Sequence, residues 1–474
     1  MSDAIVSPRF SATRPARRNA PPEILTPPTV SPPALPLGFP RNLAKMVSNY
    51  LDVIPEQAYH EPLVIAPGPP RMAFLACEEV LKPVLLDHWE DFPMGRVKKQ
   101  VFKPLFGRSL GNSDPHDWRW QRGAVSPLFR NSVLRQHGPQ ILSAADAMIA
   151  RWRAGSPGDM RNIEADMISM VARLVTDTLL GNGADEFAGL LEKGRDTYYR
   201  GMNWWIIYTM LRLPHWLPRP HGQAMRAEER AIRGGVARLV RARLEAGSPV
   251  AGMVEKWRDA RDPATGEGMP ESRIVDNATS FIMAGFETVA LTLTWTLFLL
   301  ARSPVWEQNV LEEIERVTQG GPLGVEHLDQ LTVVEQVINE SMRLYPAAPV
   351  IIRDARRCLD YKGQSIGPGT HCVIPIYAIH RHRAYWEHPD SFDPSRFGPD
   401  RGASISKYHF MPFGAGPKSC IGGSLSMIEL TLLLASLVRA ASFSVDAEFD
   451  PRPTGRLFLR PARGMPLSVS MRDQ

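Results

Sequence analysis

One ten-residue loop near the C-terminus, Phe413-Gly414-Ala415-Gly416-Pro417-Lys418-Ser419-Cys420-Ile421-Gly422, restricts this chain more than any other stretch. Gly414 and Gly416 let the backbone bend where a side chain would clash, and Pro417 stiffens the bend. The loop delivers a cysteine to the start of an apolar run in which Leu425, Ile428 and Leu432 recur at helical spacing. Gly422 and Gly423 keep bulk away from whatever sits on the sulfur. A thiolate at a helix start feels the positive end of the dipole and nearby N–H donors, so a lowered pKa is expected for Cys420. Taken alone, the cysteine also fits a plainer description, a buried free thiol after a turn.

A sheltered thiolate suits an axial ligand to haem iron. The whole loop resembles the cysteine-ligand loop of the cytochrome P450 family of haem-thiolate monooxygenases, with Phe413, Gly416, Cys420 and Gly422 at the positions that carry the likeness. One departure is Lys418, where the family usually has arginine. Lysine keeps the charge and loses the planar fork, so its contact to a haem propionate becomes a point-charge contact.

Four further stretches strengthen the resemblance. Ala284-Gly285-Phe286-Glu287-Thr288 lies inside a long apolar helical stretch, where glycine costs about 1 kcal/mol relative to alanine and an acid needs a partner or a task. The threonine hydroxyl can bond back to the carbonyl four residues earlier. The likeness makes this an oxygen-binding groove, with Gly285 leaving room over the iron, Thr288 orienting protons toward dioxygen and Glu287 as the neighbouring acid. Glu340-Ser341-Met342-Arg343 places acid and base on one helix face, an arrangement that alone is usually a weak surface pair. With Arg396 of Pro394-Ser395-Arg396-Phe397 it resembles the family's glutamate–arginine–arginine triad, which fastens the irregular connection before the cysteine loop. Trp118 and Arg122 stand at i and i+4, so one anion is within reach of both. The resemblance assigns them, with Arg353 and Lys418, to the haem propionates, and Phe413 to the haem side of the loop.

Composition is ordinary for a soluble globular chain: 474 residues, 44% hydrophobic and 22% charged, enough for one large core. Four scattered cysteines without CxxC or Cys/His spacing argue against a disulfide framework or a zinc site. A net charge of +5 with no basic, aromatic-interleaved stripe excludes nucleic acid as an expected partner. The stretch 278–300 is broken by Gly285 and Glu287 and reads as a buried central helix. The N-terminus lacks the apolar core of a secretory signal, so a cytoplasmic, bacterial-type protein is expected.

Residues 1–41 are proline-rich and read as a flexible leader, with one domain over 42–474. From Trp118 to Leu300 the pattern is mainly helical, with turns near Gly155, Gly181, Pro214 and Pro263. Thr332–Leu344 predicts a helix, 350–352, 361–364 and 373–374 short strands, and 380–419 a long irregular connection. The expected class is mainly α with a small β-rich portion, the cytochrome P450 fold.

The resemblance implies haem b as cofactor and insertion of one atom of O2 into an apolar small molecule. Electrons would come from a ferredoxin or flavodoxin with an NAD(P)H-dependent reductase, and Arg119, Arg130, Lys407 and Lys418 could steer an acidic donor. Tyr198, Tyr199, Trp204, Trp205 and Trp216 are candidates for a pocket roof or for peripheral membrane contact, and Phe102 and Phe106 for a wall. A monomer is expected. Competing readings are a peroxide-driven peroxygenase, an isomerase or dehydratase on the same scaffold, or a haem-containing binder without turnover.

Overall fold

The longest helix, Glu271–Ala301, runs through the centre of the molecule. It is hydrophobic almost all the way round, so it can satisfy its surface only inside a protein. Its threonines turn inward on the helix itself, Thr279, Thr294 and Thr296 each donating to the carbonyl four residues back. This helix and Gly423–Ala440 are long and apolar enough to cross a membrane, yet 83% and 61% of those windows are covered by the protein.

The structure is a computed structural model that describes residues 25–473 apart from 39–40, 42–44, 47, 69, 157, 181–183, 212, 215 and 247–251. In chain order the main helices are α1 (Arg96–Phe106), α2 (Pro115–Val125), α3 (Gly138–Arg153), α4 (Ile163–Leu180), α5 (Ala184–Met210), α6 (Gly222–Ala246), α7 (Glu271–Ala301), α8 (Pro304–Thr318), α9 (Thr332–Leu344) and α10 (Gly423–Ala440). Helix α7 packs on α4, α6, α9 and α10, forming the core. Helix α9 spans the residues expected from the sequence. Its N-terminus is closed by the Glu313 carboxylate of α8, which accepts from the Val333 and Val334 N–H groups at 2.8–3.0 Å. An acid at that end satisfies orphan donors and the dipole together.

The small sheets lie at the edges. β1 (Leu63–Ala66), β2 (Met72–Leu75), β7 (His371–Ile374) and β4 (Ile351–Asp354) form one sheet in that order. Its inner pair β2–β7 is parallel and the outer pairs antiparallel, with Ile352 opposite Val373. β5 (Leu359–Tyr361) and β6 (Gln364–Ile366) make a hairpin around Lys362 and Gly363. At the C-terminal end β3 (Asp159–Asn162), β11 (Pro466–Met471) and β8 (Ala441–Ser444) form a second sheet, and β9 (Pro453–Gly455) pairs with β10 (Leu459–Pro461). Strands β4 and β7 fall where 350–352 and 373–374 were expected, whereas the expected 361–364 strand is centred on the turn of the β5–β6 hairpin. The strands at 63–66 and 72–75, on either side of a Pro67-Gly68 turn signal, and those at 441–471 were not anticipated.

The leader needs correction. Residues 1–24, and the turn expected at Gly181, lie outside the described residues. Within the expected flexible segment, however, the chain from Leu25 is already docked. Phe392 N–H donates to Leu25 O at 2.9 Å, the Tyr345 hydroxyl to Pro28 O at 2.8 Å, and Glu56 N–H to Pro33 O at 2.8 Å. Prolines leave no N–H to satisfy, so an extended strap can lie on the core while offering only its carbonyls.

Candidate functional site: a cysteine-walled cavity

A cavity of about 690 Å³ separates α7 from the 413–422 loop, and both Cys420 and Thr288 line it. The loop has the geometry its glycines suggested. Gly414 and Gly416 sit at φ 72° and 73°, and a Cβ on Gly416 would fall 1.9 Å from Leu85 O. Only glycine fits there, for conformation and for space. Cys420 N–H closes the turn onto Phe413 O at 2.9 Å. The sulfur is exposed on the cavity wall, and N–H groups of Gly422 and Gly423 point at it. The expected lowering of its pKa is not what results. Burial is the strongest influence and raises it, outweighing those donors and the Arg122 charge. An iron bonded to the sulfur would deprotonate it outright.

Cations gather at one end of the cavity. Arg122 donates to Ser419 O at 3.0 Å and lies 5.5 Å from the Trp118 ring. Lys418 stands 4.3 Å from the same ring, and burial together with Arg353 and Arg122 pushes it down to about 7. Burial brings Arg353 down to about 10. Three cations crowded around an aromatic wall, all lowered by burial and Lys418 also by the two arginines, call for an anion between them. Trp118, Arg122, Arg353, Lys418 and Cys420 all line this one space, so donor set and charge fit a haem with its two propionates.

Over the opposite wall, Thr288 Oγ1 donates to Ala284 O at 2.8 Å, and Ala284 and Gly285 flank it on the cavity surface. Gly285 has a packing role that spacing did not reveal: a Cβ there would meet Val175 of α4 at 3.3 Å. Leu110, Phe129, Val175, Leu179, Met253 and Phe281 give this side its apolar character.

Several expected residues lie elsewhere. Glu287 does not line the cavity. One position along the helix from Thr288, its carboxylate is fully buried, accepts from the Tyr199 hydroxyl and stands 3.9 Å from Arg460. Successive helix residues point about 100° apart, so the acid and the alcohol face different surroundings. Phe413 lies outside the cavity too, beside a surface depression with Met411 and Met427. Phe102 and Phe106 pack on each other as a tilted ring pair outside the cavity, and no residue of α5 reaches it among those described. Tyr198 and Tyr199 are core residues, and Trp216 is 80% exposed. Lys418 is part of the cavity wall, so it is removed from the candidate docking charges, and Arg119 is paired with Glu90.

The triad geometry is explicit. Arg343 grips Glu340 through Nε and Nη2 at 2.7 and 2.8 Å and donates to the carbonyls of His380, Pro389 and Ser391. Glu340 also accepts from Asp393 N–H at 2.8 Å, with Arg396 Nε 3.5 Å away. Glu340, Arg343 and Arg396 are all buried.

Two residues escaped the sequence reading. His380 joins the triad to the loop, Nδ1 facing Met342 O at 3.3 Å while Nε2 accepts from Met411 N–H at 3.0 Å. Burial and Arg343 drive its pKa down to about 3, so it is neutral. Its place in a His-Arg-His-Arg run was the signal available. Glu429 of α10 lines the cavity, buried, with its carboxyl pushed up to about 8 by that burial.

Comparison with known proteins agrees with this geometry. The family described as Cytochrome P450 matches residues 44–469. Cyclooctat-9-en-7-ol 5-monooxygenase of Streptomyces melanosporofaciens is 29% identical over 427 residues, 89% of this chain and 91% of the relative. Pentalenene oxygenase of Streptomyces avermitilis is 28% identical over 407 residues, 85% and 89% of the two chains. A cytokinin hydroxylase of Arabidopsis thaliana is 28% identical over 427 residues, 85% and 79%. A cysteine presented on a glycine turn, propionate-ready cations beside it and a family match over nearly the whole length converge: the chain belongs to the cytochrome P450 family, a haem b oxidoreductase of the monooxygenase type.

Proposed function

We propose that this enzyme hydroxylates an apolar small molecule bound between α7 and the α2 side of the cavity, drawing electrons from a ferredoxin or flavodoxin. The observation that carries the reading is the sharing of one cavity by Cys420 and Thr288, with an apolar wall on the Thr288 side. Bound haem supplies the activation of dioxygen. Cys420 would hold its iron, Arg122, Arg353 and Lys418 would neutralise its propionates, and the Trp118 indole N–H would donate to one of them. Thr288 Oγ1, bonded to Ala284 O at 2.8 Å and more weakly to Gly285 O at 3.4 Å, can exchange those bonds for one to a water and hand on a proton. The apolar side chains exclude bulk water and orient the substrate. Two relatives carry names that specify hydrocarbon-derived substrates, cyclooctat-9-en-7-ol and pentalenene, in keeping with such a wall.

Glu340, Arg343 and Arg396 act as structural support in this reading. Glu287 is not a cavity group and shapes the oxygen site only through the helix it shares with Thr288. Arg130 and Lys407, both exposed, remain the candidate steering charges for an acidic donor to a monomeric, cytoplasmic enzyme.

The test is turnover of a panel of apolar substrates, chosen by spin-state shift of the ferric haem, with NADPH, ferredoxin and reductase under labelled dioxygen. One labelled oxygen atom in the product is expected. Equal product from peroxide without the electron chain would assign the protein to peroxygenases instead. Spin-state shifts without product across several donors would make it a binder.

A further inference from the structure

Arg460, the cation beside Glu287, also lines a second cavity of about 550 Å³, distinct from the one at Cys420. Its wall is drawn from Ser48 and Asn49, from Asn162 and Glu164 at the β3–α4 junction, from Arg200 of α5, and from the β9–β10 hairpin with its flanks. Five arginines line it, Arg200, Arg452, Arg456, Arg460 and Arg463, against a single acid, Glu164. That acid is already engaged, lying 2.5 Å from Arg460 Nη2 and 3.1 Å from Nε. By formal charge the residues on its wall sum to +4, and Glu287 behind Arg460 brings the neighbourhood to +3. So local an excess is not the even scatter of a solvated surface. Among the described residues no ion pair or hydrogen bond engages the guanidinium groups of Arg200, Arg452 or Arg463, although the Arg452 N–H donates to Asp450 Oδ1 at 2.8 Å.

The hairpin fixes this crowding in place. Thr454 stands opposite Arg460 and Pro453 opposite Pro461, and Ala462 N–H reaches both Pro451 O (2.8 Å) and Arg452 O (3.2 Å). The rim positions 452 and 463 are thereby held close together. Arg452 adopts φ 43°, a left-handed conformation that costs a non-glycine residue roughly 1–3 kcal/mol and persists only where the surroundings impose it. Like charges gathered on a stiff frame repel until an anion joins them, and guanidinium forks match the oxygens of phosphate. At this size the pocket holds a small molecule.

We propose that the arginine-lined pocket is a binding site for a phosphate-type oxyanion, gripped by Arg452, Arg463 and Arg200 above the Arg460–Glu164 pair. The assignment is independent of the haem site and stands or falls without it.

The experiment is calorimetric titration of the holoenzyme with inorganic phosphate and with pyrophosphate, at low ionic strength and matched chloride. One saturable site is expected, with pyrophosphate bound more tightly than phosphate. The Arg452→Gln/Arg463→Gln variant should bind about tenfold more weakly or worse. Arg316→Gln, an exposed change on α8, should bind as wild type. Haem content and the reduced carbon-monoxide spectrum should be unchanged in all three, which separates a lost site from a lost fold. A second arm measures co-sedimentation with phosphatidylglycerol and phosphatidylcholine vesicles. Binding to the former alone, lost in the double variant, identifies the phosphate as a lipid headgroup; pyrophosphate binding without vesicle binding identifies a soluble one. No saturable binding in either arm, or equal weakening by Arg316→Gln, overturns the site.

Discussion

The two walls of the Cys420 cavity are built by opposite means. Beneath the loop, Glu340, Arg343, Arg396 and His380 are buried and bonded to carbonyls and N–H groups of one long connection. Above it, α7 contributes two hydroxyl residues, Ser280 and Thr288, the latter bonded to its own helix, among apolar side chains. The lower wall is over-determined, since each charge that burial makes costly is matched by several partners. The upper wall is under-determined, since apolar side chains of similar volume can be exchanged with little loss. One wall serves to hold a cofactor in register, the other to admit and select.

Breaking the lower wall should give the largest effects. Glu340→Ala leaves the Arg343 guanidinium buried without its counter-ion, which costs about 3–5 kcal/mol. Haem stoichiometry and thermal unfolding should both fall sharply, before any change in substrate preference. If this variant retains haem and melts with the wild type, the contrast between the walls is wrong. A few kcal/mol are also at stake at His380, through pH. Its folded pKa of about 3 lies below its unfolded value, so its contribution is complete above about pH 6.5 and is lost as pH falls toward 3. Acid should therefore weaken haem retention across that window, whereas His380→Gln should flatten the profile. Unchanged acid sensitivity in the variant would remove His380 from the account. For Gly416→Ala the left-handed φ alone costs roughly 1–3 kcal/mol, and a Cβ 1.9 Å from the Leu85 carbonyl adds to it by forcing backbone to shift. Lowered haem affinity is its readout, and wild-type affinity would mean the loop can shift.

How far the sequence revealed each wall follows the same division. The lower wall was legible because its parts lie at fixed short spacings: glycines before Cys420, Glu340 and Arg343 three apart on a helix, Trp118 and Arg122 four apart. Steric and hydrogen-bonding needs at those spacings admit few residue types. Helix α9 was bounded correctly for a related reason, since its apolar face is periodic and Pro346 limits it. What failed depends on rotation about a helix or on contacts distant in sequence. Glu287 and Thr288 are adjacent in the chain and face apart, because the partners of Glu287 lie at positions 199 and 460. The aromatics of α5 were read as a roof from the family resemblance, with buried helix packing equally open, because hydrophobicity cannot separate a cavity wall from a packed core. The docked strap at 25–38 was hidden because proline-rich sequence looks the same whether it floats or lies on a surface.

The upper wall makes the gentlest and most specific prediction. Thr288→Ala removes one hydroxyl whose only bonds are to α7 itself, so stability should change by about 1 kcal/mol or less. Haem content, the carbon-monoxide spectrum and the substrate-induced spin shift should match wild type. What should change is the fate of electrons, with peroxide rising at the expense of product, because the hydroxyl beside Ala284 and Gly285 on the cavity wall has gone. Glu287→Gln supplies the control that separates position from chemistry. It leaves the cavity lining intact and strips a charge from the buried Arg460 pair, so it should lower thermal stability more than Thr288→Ala does while disturbing coupling less. Were the order reversed, with Glu287→Gln uncoupled and Thr288→Ala not, the carboxylate would have to swing from Tyr199 and Arg460 toward the cavity during turnover. The upper wall would then be a moving part whose resting geometry conceals its working one.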